Sequence, residues 1–273
     1  MSEKKETNSG YAELGGGRFY YEMAGEGRAT LVLAHAGIAD LRMWDEQFFA
    51  FAEHYRVLRY DRRGFGRTAM TEGPFSHHRD LYLLLEFLGI EEAFLLGCSQ
   101  GGKIVLELAL EHPEVARALV LVASAVGGFT YTGELPVQWA ELEEAERRGD
   151  IARVNELELQ IWVDGPHRTA DQVDSSMRER VREMNLIALS TPSDSGSEQP
   201  LEPAAVNRLG QIRVPALVVV GDLDTPKTLA AADLLAEKIA GAQKLFIPGT
   251  AHLPSMERPE EFNRVVLAFL NRL

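Results

Sequence analysis

Cysteine is almost absent. Cys98 is the single one in 273 residues, which excludes an intrachain disulfide and any cysteine-rich zinc site. Positive charge is also scarce. Against 41 Asp and Glu stand 28 Lys and Arg, a formal charge of −13, whereas a nucleic-acid surface needs clustered cations. Basic pairs such as Arg62-Arg63 and Arg147-Arg148 are expected to be solvated or locally paired. The seven histidines form neither H-E-x-x-H nor a clustered ligand set. His77-His78 are adjacent and precede a helical pattern, as residues at a helix N-terminus would. No metal and no cofactor is expected. No apolar run reaches membrane-spanning length, and no charged start followed by an apolar stretch and a small-residue cleavage site opens the chain. The expectation is a cytoplasmic protein without nucleic-acid or membrane partners.

What is present suits a folded protein: 45% hydrophobic and 25% charged residues. Only the first ten residues, MSEKKETNSG, and residues 188–200, ALSTPSDSGSEQP, are polar and aperiodic enough to be expected without fixed structure. Residues 11–27 read as a hairpin around Gly15-Gly16-Gly17. Short, nearly continuous apolar runs follow: TLVLAHAG, YRVLRYD, EAFLLGCS, ARALVLVAS, VPALVVVGD and AQKLFIPG. Parallel strands buried on both faces require such runs. Helical patterns over 43–54, 76–88, 100–111, 228–240 and 258–271 alternate with them. The alternation predicts an α/β fold, a parallel sheet with helices on both faces. It breaks once. Residues 126–210 show charged helical stretches and no strand pattern, too long for a loop, and are read as a helical insertion.

FLLGCSQGGKIVLEL, residues 94–108, fits two motifs. As G-x-x-x-x-G-K, Gly97 to Lys103 resembles a phosphate loop, and Asp222 at the end of LVVVGD could serve as its metal-binding acid. That reading lacks the Ser or Thr that coordinates magnesium, because Ile104 follows the lysine. As G-x-S-x-G, the stretch is a nucleophile elbow with Ser99 at its apex. A sharp strand-to-helix turn demands small residues two before and two after the apex, and glycine occupies both places. The N–H of Gln100 then lies at a helix N-terminus, placed to stabilise an oxyanion. A serine needs a base and an orienting acid, which follow it in the order acid, then histidine. Asp222 and Asp224 come just after one strand pattern, and His252 lies between the last strand and last helix. The carboxyl ends of parallel strands are where these groups would converge.

Taken in order, HAGIADLRMWDEQ, YDRRGFGRT, GCSQGG, GDLDTP and GTAHLPSMERPEEF resemble the successive signatures of the α/β-hydrolase superfamily. The resemblance implies a mostly parallel eight-stranded sheet with helices on both faces. It implies a core domain from residues 1–125 and 211–273, with residues 126–210 as a helical cap. In that pattern the acid is the fourth residue of G-x-x-D, which selects Asp224 over Asp222. Gly37 would supply the second oxyanion N–H, although Ala36 stands where glycine is commoner. The resemblance also makes His35 a structural support of that turn, and Asp61 and Arg62 turn-fixing residues. Cys98 is expected to be a buried filler and Lys103 a helix residue.

Ser99 argues against the dehalogenase and epoxide-hydrolase branches, which carry aspartate at the apex. Residues 40–47 are similar to the enol-lactonase and small-esterase branch, and acyl-homoserine lactones would suit a capped apolar pocket. The metal-ligand cluster H-x-H-x-D-H is missing, so lactone hydrolysis would be serine-based. The implied activity is hydrolysis of a small ester or lactone through an acyl-enzyme. A generic short-chain carboxylesterase and a slowly turning-over ligand receptor of the same fold are the alternatives. Trp44, Trp139, Trp162 and Met184 are expected to line the substrate pocket, though ordinary packing would place them equally well.

Overall fold

The structure is a computed structural model, and it describes residues 7–191 and 196–273. In chain order the strands are β1 (Thr7–Leu14), β2 (Gly17–Ala24), β3 (Thr30–Ala34), β4 (Arg56–Tyr60), β5 (Gly73–Phe75), β6 (Ala93–Cys98), β7 (Ala116–Val122), β8 (Gly196–Glu198), β9 (Ala216–Gly221) and β10 (Gln243–Ile247). Eight of them make one sheet in the order β1-β2-β4-β3-β6-β7-β9-β10. β1 and β2 form an antiparallel hairpin, β2 pairs antiparallel with β4, and every later pairing is parallel.

The sheet separates two apolar layers, because successive strand residues point to opposite faces. On β3, Leu31 and Leu33 face one core while Val32 and Ala34 face the other. The first layer takes Phe48 and Phe51 of α1 (Asp45–Phe51), together with Phe262, Val266 and Phe269 near the C-terminus. The second takes Leu81 and Leu84 of α2 (His77–Phe87) and Ile104, Val105 and Leu108 of α3 (Gln100–Glu111).

Residues 126–210, the stretch read as an insertion, carry α4 (Trp139–Arg147), α5 (Ile151–Glu158), a π-helical turn (Leu159–Asp164) and α6 (Ser175–Leu189). α7 (Pro226–Lys238), α8 (Pro254–Glu257) and α9 (Pro259–Leu270) complete the chain. Part of the insertion makes a small core of its own, Leu142, Ala145, Val154, Leu157 and Ile161. Another part, including Leu159, Val163, Met177 and Met184, joins the first sheet core.

Three expectations need correction, and a fourth holds only in part. The hairpin begins at Thr7, inside the segment expected to lack structure, because Thr7 to Gly10 pair with Ala24 to Tyr21; residues 1–6 lie outside the described residues. Within 188–200 a strand forms where none was expected, as β8 pairs in parallel with β5; residues 192–195 of that segment lie outside the described residues. AQKLFIPG is not buried on both faces. β10 is the edge strand, with Lys244 exposed and Phe246 44% exposed, and a charged residue on an edge discourages further pairing. Of the two alternatives for Arg62-Arg63, solvation fails, since both are buried, while pairing holds for Arg63. Arg63 pairs with Asp80 at 2.8 Å, whereas Arg147 and Arg148 pair with Glu144 at the surface. Among the described residues no helix is long and apolar enough to cross a membrane.

Candidate active site

β6 runs straight into α3, and Ser99 occupies the junction with φ 53° and ψ −114°. A positive φ is strained for any residue with a Cβ. Backbone bonds hold it there: Ser99 N donates to Val122 O at 2.9 Å, and Ser99 O accepts from Lys103 N at 3.1 Å and Ala125 N at 3.0 Å. The flanking glycines permit the turn sterically. A Cβ on Gly97 would lie 2.2 Å from Gly101 O, and one on Gly101 would lie 2.1 Å from Ala34 O. A Cβ on Gly37 would sit 3.2 Å from Gln100 Cγ, so the two residues expected to offer oxyanion N–H groups are neighbours.

β9 ends at Gly221, where a Cβ would come within 2.2 Å of both Thr250 O and Ala251 O. The missing side chain lets the loop after β9 and the loop after β10 meet. His252 Nδ1 donates to Asp224 Oδ2 at 2.8 Å, and both side chains are almost wholly buried. Asp224 Oδ1 accepts from Thr225 N at 2.6 Å. Asp222 instead accepts from Gly249 N at 2.6 Å in an exposed turn. The His252 loop also touches the elbow strand, because Cys98 Sγ donates to His252 O at 3.6 Å. Burial pushes the Cys98 thiol pKa up, with the Asp224 charge adding to it.

The turn carrying Gly37 is braced from below. Arg62 N donates to His35 Nε2 at 3.0 Å, so His35 is neutral with its proton on Nδ1, which donates to Ala36 O at 2.8 Å. Burial holds the His35 pKa well below the ordinary imidazole value, and the Arg62 charge acts in the same direction. Asp61 accepts from Leu41 N at 2.9 Å and Arg67 N at 2.8 Å, tying the same turn to the loop after β4. Burial pushes its pKa up to about 7. Lys103, the lysine of the phosphate-loop reading, pairs with Glu198 at 2.8 Å.

Of the four residues expected to line a pocket, Trp162 lies against His252. Their ring centroids are 4.7 Å apart, and His252 N donates to Trp162 O at 3.3 Å. Trp139 meets Trp162 edge-on at 6.4 Å and donates from its indole N–H to Glu143. Trp44 and Met184 are buried within the first sheet core. Two cavities of about 370 Å³ each are lined by neither Ser99, Asp224 nor His252. Among the described residues, no group of three or more His, Cys, Asp or Glu could hold a metal ion.

Sequence reasoning missed two residues beside the histidine. Glu257 accepts from Ala251 N at 2.7 Å, and Arg168 of the insertion pairs with Glu257 at 2.6 Å. Glu257 stands in the quoted stretch GTAHLPSMERPEEF, while no local pattern marks Arg168.

An open sheet with a strand-to-helix elbow and a buried acid–histidine pair at its strand ends defines a hydrolase of the α/β class. The model of the alpha/beta hydrolase fold family matches residues 29–259, and the chain belongs to that family. Among solved structures, an enol-lactonase from Burkholderia xenovorans LB400 is 28% identical, with 96% of this chain and 100% of that chain covered and a TM-score of 0.79. A solved N-acyl homoserine lactone degrading enzyme is 25% identical over 95% of this chain and 100% of its own, with a TM-score of 0.76. The 3-oxoadipate enol-lactonase 2 of Acinetobacter baylyi is 24% identical, with 90% of each chain covered.

Proposed function

We propose that the protein hydrolyses carboxylic esters or lactones through an acyl-enzyme formed on Ser99. The observation that carries this reading is the buried 2.8 Å contact between His252 and Asp224, in a loop bonded to the residue preceding Ser99. Ser99 Oγ attacks the carbonyl carbon and gives its proton to His252 Nε2, while Asp224 holds the tautomer and stabilises the imidazolium. The N–H groups of Gly37 and Gln100 stabilise the tetrahedral oxyanion, at about 3–4 kcal/mol per donor in comparable sites. Collapse returns the Nε2 proton to the leaving alkoxide, which stays tethered to the acyl group if the substrate is a lactone. A water then gives one proton to His252 as its oxygen attacks the acyl carbon. The second tetrahedral intermediate expels Ser99 Oγ, which recovers the proton, and the acid is released.

The insertion serves as the cap of this site, and the contact of Trp162 with His252 supports that role. N-Acyl homoserine lactones are proposed as substrates on the likeness to the homoserine-lactone-degrading enzyme. The test compares the wild type and Ser99→Ala on p-nitrophenyl esters and on N-acyl homoserine lactones. The variant should fold and turn over neither class, and hydrolysis retained at the wild-type rate would overturn the assignment. In the wild type, a larger kcat/KM on the lactones supports the lactonase reading, and the reverse assigns the protein to short-chain esterases.

A further inference from the structure

Arg168 lies in the insertion, after the π-helical turn, and its guanidinium bonds to four oxygens. Nε donates to Asp164 O at 2.8 Å and Nη2 to Val163 O at 2.9 Å, both within the insertion. Nη1 crosses to the sheet domain, reaching Gly249 O at 3.2 Å and Glu257 Oε2 at 2.6 Å. The other oxygen of Glu257 accepts from Ala251 N at 2.7 Å. His252 is the next residue. Residues 249–252 are therefore held on both sides by one side-chain pair, while Trp162 O takes the His252 N–H from the insertion side.

Stability alone is a poor account of this pair. The two side chains are 12% and 6% exposed, and removing two such charges from water costs about as much as their attraction returns. Holding register is the better attested use of a buried ion pair. A planar guanidinium suits that task, since it can span several fixed oxygens where a lysine ammonium is a point charge on a flexible stem.

We propose that Arg168 and Glu257 are positioning residues for the base. They set the loop carrying His252 from the insertion, so the imidazole reaches its working position only when the insertion is seated. The inference rests on the reading of His252 as the base and adds to it the residues that aim it.

The experiment uses the full chain and p-nitrophenyl butyrate as the probe, with Arg168→Met, Arg168→Lys, Glu257→Gln and Ser99→Ala compared with the wild type. Arg168→Met and Glu257→Gln should lower kcat about 10- to 100-fold, the scale of a small misplacement of a reacting group. KM should stay within about twofold, because the pair does not touch substrate. Arg168→Lys should recover part of kcat, reaching Glu257 but not all the carbonyls. An unchanged kcat in Arg168→Met and Glu257→Gln, or an effect confined to KM, overturns the inference. Should Arg168→Met fail to fold, the nearly isosteric Glu257→Gln decides it alone. Ser99→Ala separates the two levels: its retained turnover defeats the reading of Ser99 as a nucleophile served by His252, and this inference with it. Its loss of turnover, with kcat intact in the Arg168 and Glu257 variants, defeats only the positioning role.

Discussion

Cys98 Sγ lies 3.6 Å from the carbonyl oxygen of His252, joining the residue before the elbow serine to the proposed base across 154 positions of sequence. The bond needs a neutral thiol, and burial supplies one by pushing the thiol pKa up. Since the thiolate is the reactive species, Ellman's reagent should not modify Cys98 in the native protein at about pH 8 and should modify it fully after unfolding in guanidinium. Rapid stoichiometric labelling of the native protein would contradict this burial.

Ser99 is held at φ 53°, a conformation that costs a non-glycine residue on the order of 1–3 kcal/mol. Glycine relieves that strain but adds about 0.5–1 kcal/mol of freedom to the unfolded chain. Ser99→Gly should therefore stabilise the protein by about 1 kcal/mol, a rise of about 2–4 °C in melting temperature, while abolishing hydrolysis. Calorimetry tests the first part, and a lower melting temperature would show that the elbow is not under strain.

His35 predicts a pH effect on stability. Its Nε2 accepts from Arg62 N, and burial holds its pKa well below the ordinary value. An unfolded histidine takes up a proton near pH 6.5, so the stability His35 contributes is present above that pH and lost below it. Asp61 works in the opposite direction. Its pKa is pushed up to about 7, and stability falls as pH rises through the window from about 4, the unfolded value, to 7. The difference between the wild type and His35→Gln isolates the histidine. Between about pH 7.5 and 5.5, urea unfolding should show the wild type losing more stability than the variant. Equal losses would mean that His35 is protonated without cost.

The parallel strands were legible because burial on both faces leaves little choice but continuous apolar residues: every position of β3, β6 and β9 is buried. The elbow was legible because its glycines answer to clashes of 2.2 Å and 2.1 Å. β10 misled because its run is apolar while its place at the edge is decided by sheet order. β8 was missed because three residues, Gly196–Glu198, carry no period and pair only with β5. Trp162 and Trp44 look alike in sequence, and only packing sets one against His252 and the other in the sheet core. Arg168 and Glu257 are 89 positions apart, and no local pattern links them.

Asp222 and Asp224 were separable in sequence only through the resemblance, and the environment of each now predicts a different response to the same substitution. Asp224 is 1% exposed, with one oxygen on His252 Nδ1 and the other on Thr225 N. Asparagine there can turn its NH₂ towards the imidazole and favour the wrong tautomer, so Asp224→Asn should lower kcat roughly 10³- to 10⁴-fold. Asp222 only accepts from Gly249 N in an exposed turn. Asparagine keeps that acceptor, so Asp222→Asn should leave kcat within about threefold, as expected where no hydrogen-bond partner is lost. Steady-state kinetics on one p-nitrophenyl ester decide the matter. A large loss in Asp222→Asn with Asp224→Asn nearly intact would transfer the orienting role to Asp222 and require the loop after β9 to rearrange when substrate binds.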